Sequence, residues 1–229
     1  MVISGQLYLD LNGKELSGAV SGDGTLYGMD SATDQYDCAN MGHITGTVSC
    51  TVAGNFKTDV TGVTRRYLAV ADETGYSFHR FYVGVTKMSL MPNQTALGYK
   101  AVFAGDDMVK EAISGFGIKL WVDGFEHKAV TLQLKLEDFV SEKEWSIRVR
   151  NIDVKNFGET DICAQAFVIL GEEQVESTVV SDNLRGMLEK VNDAIENYTD
   201  EQVAAVTALV KVWYSIMKTW DIGNIYTEA

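Results

Sequence analysis

Apolar residues along this chain follow two periods, and the change from one to the other falls near Ser181. Up to that point the pattern is short and alternating, the mark of strands with one packed and one wet face. Candidate strands in the first third are Gln6–Leu11, Ala19–Tyr27, Ile44–Val52 and Arg65–Ala71, separated by turns at Asn12-Gly13, Asp23-Gly24 and Ala53-Gly54-Asn55. Asp23-Gly24 reads as a tight hairpin turn, because both residues tolerate positive φ. Thr45, Thr47, Ser49 and Thr51 alternate with Gly46, Val48, Cys50 and Val52, which predicts one continuous strand with a solvated face.

From Tyr76 the strands become more hydrophobic. Phe78, Arg80 and Tyr82 share one face, and His79, Phe81, Val83 and Val85 the other. Further strands are read at Met88–Leu90, Leu97–Phe103, Phe116–Val122, Ala129–Leu136, Trp145–Arg150, Ile162–Leu170 and Gln174–Val180. Between two of them, Asp106–Ser114 has the makings of one or two helical turns, capped by Asp106 with Val109, Ala112 and Ile113 turned inward. Short strands at this spacing predict a mainly β chain built on an antiparallel, immunoglobulin-like β-sandwich.

Beyond Ser181 the period becomes helical. Leu184, Leu188, Val191 and Ile195 make one stripe, and Val203, Val206, Val210, Trp213, Met217 and Trp220 a second. Thr199-Asp200-Glu201-Gln202 is a capping box opening the second helix. The expected layout is an N-terminal β-domain over 1–75, a β-sandwich over 76–180 and a helical hairpin over 181–229. Such a hairpin cannot bury its stripe alone. It is expected to pack on the sandwich, with a dimer or a neighbouring domain as the alternatives.

Composition narrows the function classes. The net charge of −13 over 229 residues opposes nucleic-acid binding, which rests on Lys and Arg neutralising phosphates, and opposes docking on anionic membranes. No apolar run approaches the length of a membrane span, so no membrane insertion is expected. Met1–Gly5 lacks the charged and apolar regions of a signal peptide, and the chain reads as a piece of something longer. Cys38, Cys50 and Cys163 form no metal-binding pair pattern. Cys163 reads as an inert core residue, while Cys38 and Cys50 are either a disulfide or two thiols.

Candidate chemistry is sparse. The acidic stretch Gly28–Asp37 offers Asp30, Asp34 and Asp37 as ligands for a hard cation such as Ca²⁺, which takes six to eight oxygens. The alternative is a solvated loop with Asx turns. His43, His79 and His127 lie on separate segments, and His79 reads as a hydrogen-bonded structural residue. Asp106-Asp107 and Glu172-Glu173 read as solvated turns. Trp121, Trp145, Tyr99 and Tyr82 are either core or a sugar-stacking platform. No phosphate-binding glycine loop or catalytic motif occurs, so no reaction can be assigned.

The order of motifs Tyr76-Ser77-Phe78-His79-Arg80-Phe81-Tyr82-Val83, Gly98–Asp106, Ala164–Val168 and Trp213…Trp220-Asp221-Ile222-Gly223-Asn224-Ile225 resembles a C-terminal β-rich accessory module of large secreted and cell-surface proteins of gut Clostridia. The resemblance covers residues 76–226, and the stretch Leu26–Asp34 looks like a β-domain found beside that module. It carries no catalytic residues to transfer. It implies a non-catalytic, extracellular, adhesion-like binding module of a larger secreted or surface protein, partnered by neighbouring domains and by a glycan or host protein. The alternatives are the tail of a secreted hydrolase that helps build its active site, and a structural spacer.

Overall fold

The computed structural model describes residues 1–31, 43–54, 56–60, 62–90, 96–134, 144–153 and 160–183. It also describes 185, 186, 189, 193, 195–197, 199–204, 207, 208 and 211 in the C-terminal segment.

The first third is not made of hairpins. Strands β1 (Val2–Ile3), β2 (Gln6–Asp10) and β3 (Glu15–Ser17) form one pass of chain. Strands β4 (Ser21–Gly22), β5 (Thr25–Met29) and β6 (His43–Thr45) form a second. Each strand pairs in parallel with its counterpart one pass later: β1 with β4, β2 with β5, β3 with β6. A third pass contributes Val48, bridged to Val20, and β7 (Thr51–Gly54), parallel to β5. This is a short coil of stacked passes, in which each buries the apolar side of the one beside it.

Two sequence expectations are thereby corrected. Asp23-Gly24 does not close a hairpin, because β4 and β5 pair with the preceding pass and not with each other. Gly24 donates its N–H to the Ile3 carbonyl, and a Cβ on Gly24 would lie 2.2 Å from the Gly5 carbonyl oxygen. The glycine therefore serves close stacking of one corner on another. The alternating stretch 45–52 is likewise not one strand. It turns at Gly46, whose φ is +115, a conformation that disfavours any side chain.

The rest of the β structure is a pair of facing antiparallel sheets. The first contains β8 (Phe56–Val60), β9 (Val63–Ala71), β10 (Gly75–Leu90), β11 (Ala96–Ala104) and β14 (Glu144–Asp153), in the order β8-β9-β10-β11-β14. The second contains β12 (Ile113–Val122), β13 (Val130–Leu134), β15 (Ile162–Leu170), β16 (Glu173–Glu176) and β17 (Val180–Asp182). Its order is β13-β12-β15, with β16 and β17 side by side along the far edge of β15. Phe81, Val83, Val85, Tyr99, Ala101 and Phe103 of the first sheet meet Phe116, Ile118, Ala164, Ala166 and Val168 of the second in one buried core. The Tyr99 hydroxyl donates to the Ile162 carbonyl across that core.

β10 joins the coil to the sandwich. Its first residues, Gly75–Ser77, pair with β6 of the coil, and its later residues, Tyr82–Leu90, pair with β11. Odd positions Phe81, Val83 and Val85 enter the sandwich core, whereas Phe78 on the opposite face belongs to a second core with Ile3, Leu11, Val20, Leu26, Ile44 and Tyr67. The strand therefore runs through residue 76 without a break. The stretch read as a separate strand at Met88–Leu90 is the end of β10.

The short helix α1 (Asp107–Ala112) follows the sequence reading in its cap and in burying Val109. Ala112, expected to face inward, is exposed. The strand read at Ala129–Leu136 is expected to have one packed face, but in its described part Val130 and Leu132 are 60 % and 40 % exposed on an edge strand.

In the C-terminal segment the capping box is present: Thr199 N–H donates to the Gln202 side-chain oxygen at 2.9 Å, and Gln202 N–H to the Thr199 hydroxyl at 3.4 Å. Ile195–Asn197 form a 3-10 turn. The two-helix hairpin itself is not supported. Most of the residues of its two stripes, including Trp213, Met217 and Trp220, lie outside the described residues.

Candidate functional site

The outer face of the first sheet carries a groove of about 400 Å³ across β9, β10 and β11. Strand alternation builds it. With Phe81, Val83 and Val85 committed to the core, Tyr82, Gly84 and Thr86 must face the other way. Register then sets Arg65 opposite Tyr82, Val63 opposite Gly84, and Val102 and Lys100 opposite Gly84 and Thr86. Among the described residues, the groove has an apolar floor of Val63, Gly84 and Val102, an aromatic ring in Tyr82, and Arg65 and Lys100 as its charged lining residues. Both charges are positive in a chain of net −13. The coil covers the neighbouring part of this face, where Phe78 and Tyr67 are buried.

A second constellation lies on β10. Ser77 and His79, two residues apart, share a face, and the Ser77 hydroxyl is 2.8 Å from His79 Nε2. His79 Nδ1 is 2.7 Å from Asp106 Oδ2, while Asp106 Oδ1 accepts from Val109 N–H as the cap of α1. The connectivity is that of a serine–histidine–aspartate relay, but the setting is that of a clip. Ser77 and His79 are 4 % and 1 % exposed, so a substrate carbonyl has no approach. Ser77 is paired with His43 on one side and Val70 on the other, so its peptide lies within the sheet, away from any turn where donors could gather on an oxyanion. The relay fastens α1 to β10. It also corrects the reading of Asp106-Asp107 as a solvated pair: Asp107 is exposed, but the Asp106 side chain is 9 % exposed and fully engaged. Glu173, of the other acidic pair, is bonded to Arg66 at 2.7 Å.

Of the three expected metal ligands, Asp34 and Asp37 lie outside the described residues. Asp30 is completely buried, and its Oδ1 accepts from Gly13 N–H at 2.9 Å. Beside it, Asp10 accepts from the N–H groups of Asn12 and Ser31. These two carboxylates tie a corner of the first pass to the second. Among the described residues no group of three or more His, Cys, Asp or Glu side chains is placed to hold a metal.

The aromatic candidates separate. Tyr99 is core, its hydroxyl pKa pushed far up by burial and then by the nearby Asp182 and Cys163. Trp121 is half-buried, the Trp145 side chain lies outside what is described, and Tyr82 reaches the groove. A pair that sequence reading passed over is Tyr8 and Tyr27, stacked at 5.0 Å on the outside of the coil, with Tyr8 59 % exposed. Cys50 is a free thiol and Cys38 lies outside the described residues. Burial, then Asp123 and Asp161, raises the Cys163 thiol to about 11, which keeps it protonated and inert.

The groove was missed because its parts lie on three strands, at residues 65, 82 and 100. The available signal was a cation or tyrosine at the outward position of strands otherwise apolar, and only register brings those positions together.

Among the described residues no helix is long and apolar enough to cross a membrane. No protein-family model matches the chain, and no curated protein matches it in sequence. Among solved structures, the chain is similar to a bromine derivative of BhCBM56, at 12 % identity over 45 % of this chain and 90 % of the other, with a TM-score of 0.28. It is also similar to the FN1–FN3 domains of chicken CNTN1, at 11 % identity over 56 % of this chain and 44 % of the other, again at 0.28. Likeness of that degree carries no argument about what this chain does.

Proposed function

We propose that this chain is a non-catalytic binding module, working as an accessory part of a larger secreted or cell-surface protein, and that it binds a glycan in the groove over β9, β10 and β11. The observation that carries this reading is the groove itself: an apolar floor, one tyrosine ring and two cations on a rigid sheet. Concave sites with a mostly apolar lining and a few convergent polar groups are the usual form of a small-ligand site, and an aromatic ring beside them is a stacking surface for a sugar face. The buried Ser77–His79–Asp106 clip supports the same side of the choice, since among the described residues this arrangement with a hydrolase's connectivity is enclosed and spent on structure.

The test is retention on a panel of immobilised polysaccharides, followed by calorimetric titration with the best soluble fragment. Tyr82→Ala should abolish retention while leaving the melting temperature within a few degrees. Equal retention of wild type and Tyr82→Ala, or no retention on any polysaccharide, would remove the proposal.

A further inference from the structure

We infer that the groove is built for an acidic saccharide, one carrying carboxylate or sulfate groups, with Arg65 and Lys100 as the two cations that receive the charge. This rests on the binding-module reading above and names its ligand class. Three observations carry it.

The first is charge sign. Among the described residues, both ionic residues lining the groove are cations, although acidic residues outnumber basic ones by 32 to 19 in the whole chain. The surplus of negative charge elsewhere makes a face with paired cations stand out, and such a face draws anions.

The second is spacing. Arg65 lies opposite Tyr82, and Lys100 lies opposite Thr86, four residues further along β10, which is about 13 Å along a strand. Two cations set that far apart suit a ligand with charge repeated along its length better than a single small anion.

The third decides between a saccharide and an acidic peptide. An extended peptide gains much of its affinity on a sheet from backbone hydrogen bonds at a free edge. Here β9, β10 and β11 each have a neighbour on both sides, so the floor has no free backbone to offer. Recognition must come from side chains projecting off the face, and Tyr82 offers a flat ring beside Arg65, with Lys100 further along the groove opposite Thr86. A pyranose has an apolar face to lie on the ring and charged substituents at its rim for the guanidinium and the ammonium.

The experiment is affinity electrophoresis and calorimetry of the full chain. The probes are polygalacturonate, a neutral β-glucan, and poly-glutamate of matched charge. Variants are Arg65→Gln and Lys100→Gln, with Lys14→Gln/Lys128→Gln as a charge-matched control away from the groove. Polygalacturonate should bind, each groove variant should weaken it about tenfold, as losing a charge-assisted hydrogen bond does, and the control should leave it unchanged. Raising salt from about 0.02 to about 0.2 M should weaken the wild type and affect the variants less. Preference for the neutral glucan, with groove variants binding it normally, would overturn the acidic class while leaving a glycan module standing. Poly-glutamate binding as tightly as the polyuronate would overturn the saccharide in favour of an acidic protein. Binding of none of the three would overturn this inference, and with failure on the polysaccharide panel the binding-module reading as well.

Discussion

Phe78 is a fully buried ring at the joint between coil and sandwich, and removing it gives a quantitative test. Phe78 is completely buried on the coil side of β10. A Cβ placed on Gly28 of β5 would come within 2.0 Å of the tip of its ring, so the ring lies directly against β5 backbone. Phe78→Ala should cost about 3–5 kcal/mol, the range for deleting a buried aromatic side chain. The upper part of that range is expected, because β5 is held between β2 and β7 and cannot sink into the void. Gly28→Ala should overpack the same contact at about 1–3 kcal/mol or more. Combined with Phe78→Leu, which shortens the ring's reach, it should cost less than the sum of the singles by about 1–2 kcal/mol, as contacting residues couple.

The assay is urea unfolding followed by circular dichroism and by intrinsic fluorescence, comparing midpoints at constant slope. The two probes should give one coincident transition, because β10 hydrogen-bonds to β6 of the coil and to β11 of the sandwich. A loss below about 1 kcal/mol in Phe78→Ala, or additivity of Gly28→Ala and Phe78→Leu within about 0.5 kcal/mol, would refute the reasoning.

Two further outcomes are expected. Asp106→Ala removes the cap of α1 and the partner of His79 Nδ1 together, so it should cost about 2–4 kcal/mol in thermal or urea unfolding, from about 1 for the cap and about 1–3 for an unpaired buried ring nitrogen; a loss below about 0.5 kcal/mol would contradict the clip. At Glu176, burial alone would raise the carboxyl, but hydrogen bonds from Lys119 at 2.5 Å and from Gln174 outweigh it and hold the group below its ordinary value. A depressed carboxylate stabilises above its unfolded pKa, and that contribution is lost as pH falls through the folded one. Glu176→Gln should therefore be less stable than wild type by up to about 1 kcal/mol at neutral pH, the pair being partly solvated. The difference should close in acid below the ordinary glutamate range, and a constant difference across that range would count against the pair.

Alternation alone was enough to place most of the sandwich strands, because a strand with one buried face writes its period into the sequence whatever it pairs with. The faces of β10 follow from composition for that reason, and so does the Asp106 cap, whose signal lies within four residues. Pairing is another matter. The turn at Asp23-Gly24 reads as a hairpin because both residues suit one, yet parallel stacking of one pass on the next decides its fate. The hint lay in a repeat at a 19-residue step, Gly5-Gln6-Leu7-Tyr8 against Gly24-Thr25-Leu26-Tyr27, too short to outweigh local turn chemistry.

The same division holds for the site. Sequence alone determined that this is a β-rich, acidic chain without a phosphate-binding glycine loop, and that His79 shares a strand face with Phe81, Val83 and Val85. Only the tertiary structure could join Ser77, His79 and Asp106 into a buried clip, commit Asp30 to Gly13, and set Arg65, Tyr82 and Lys100 around one groove. The physical reason is register. A side chain's face is fixed by its own strand, but its neighbours across the sheet depend on which strand lies beside it and at what offset, and a one-residue slip would send each of these groups to the opposite face.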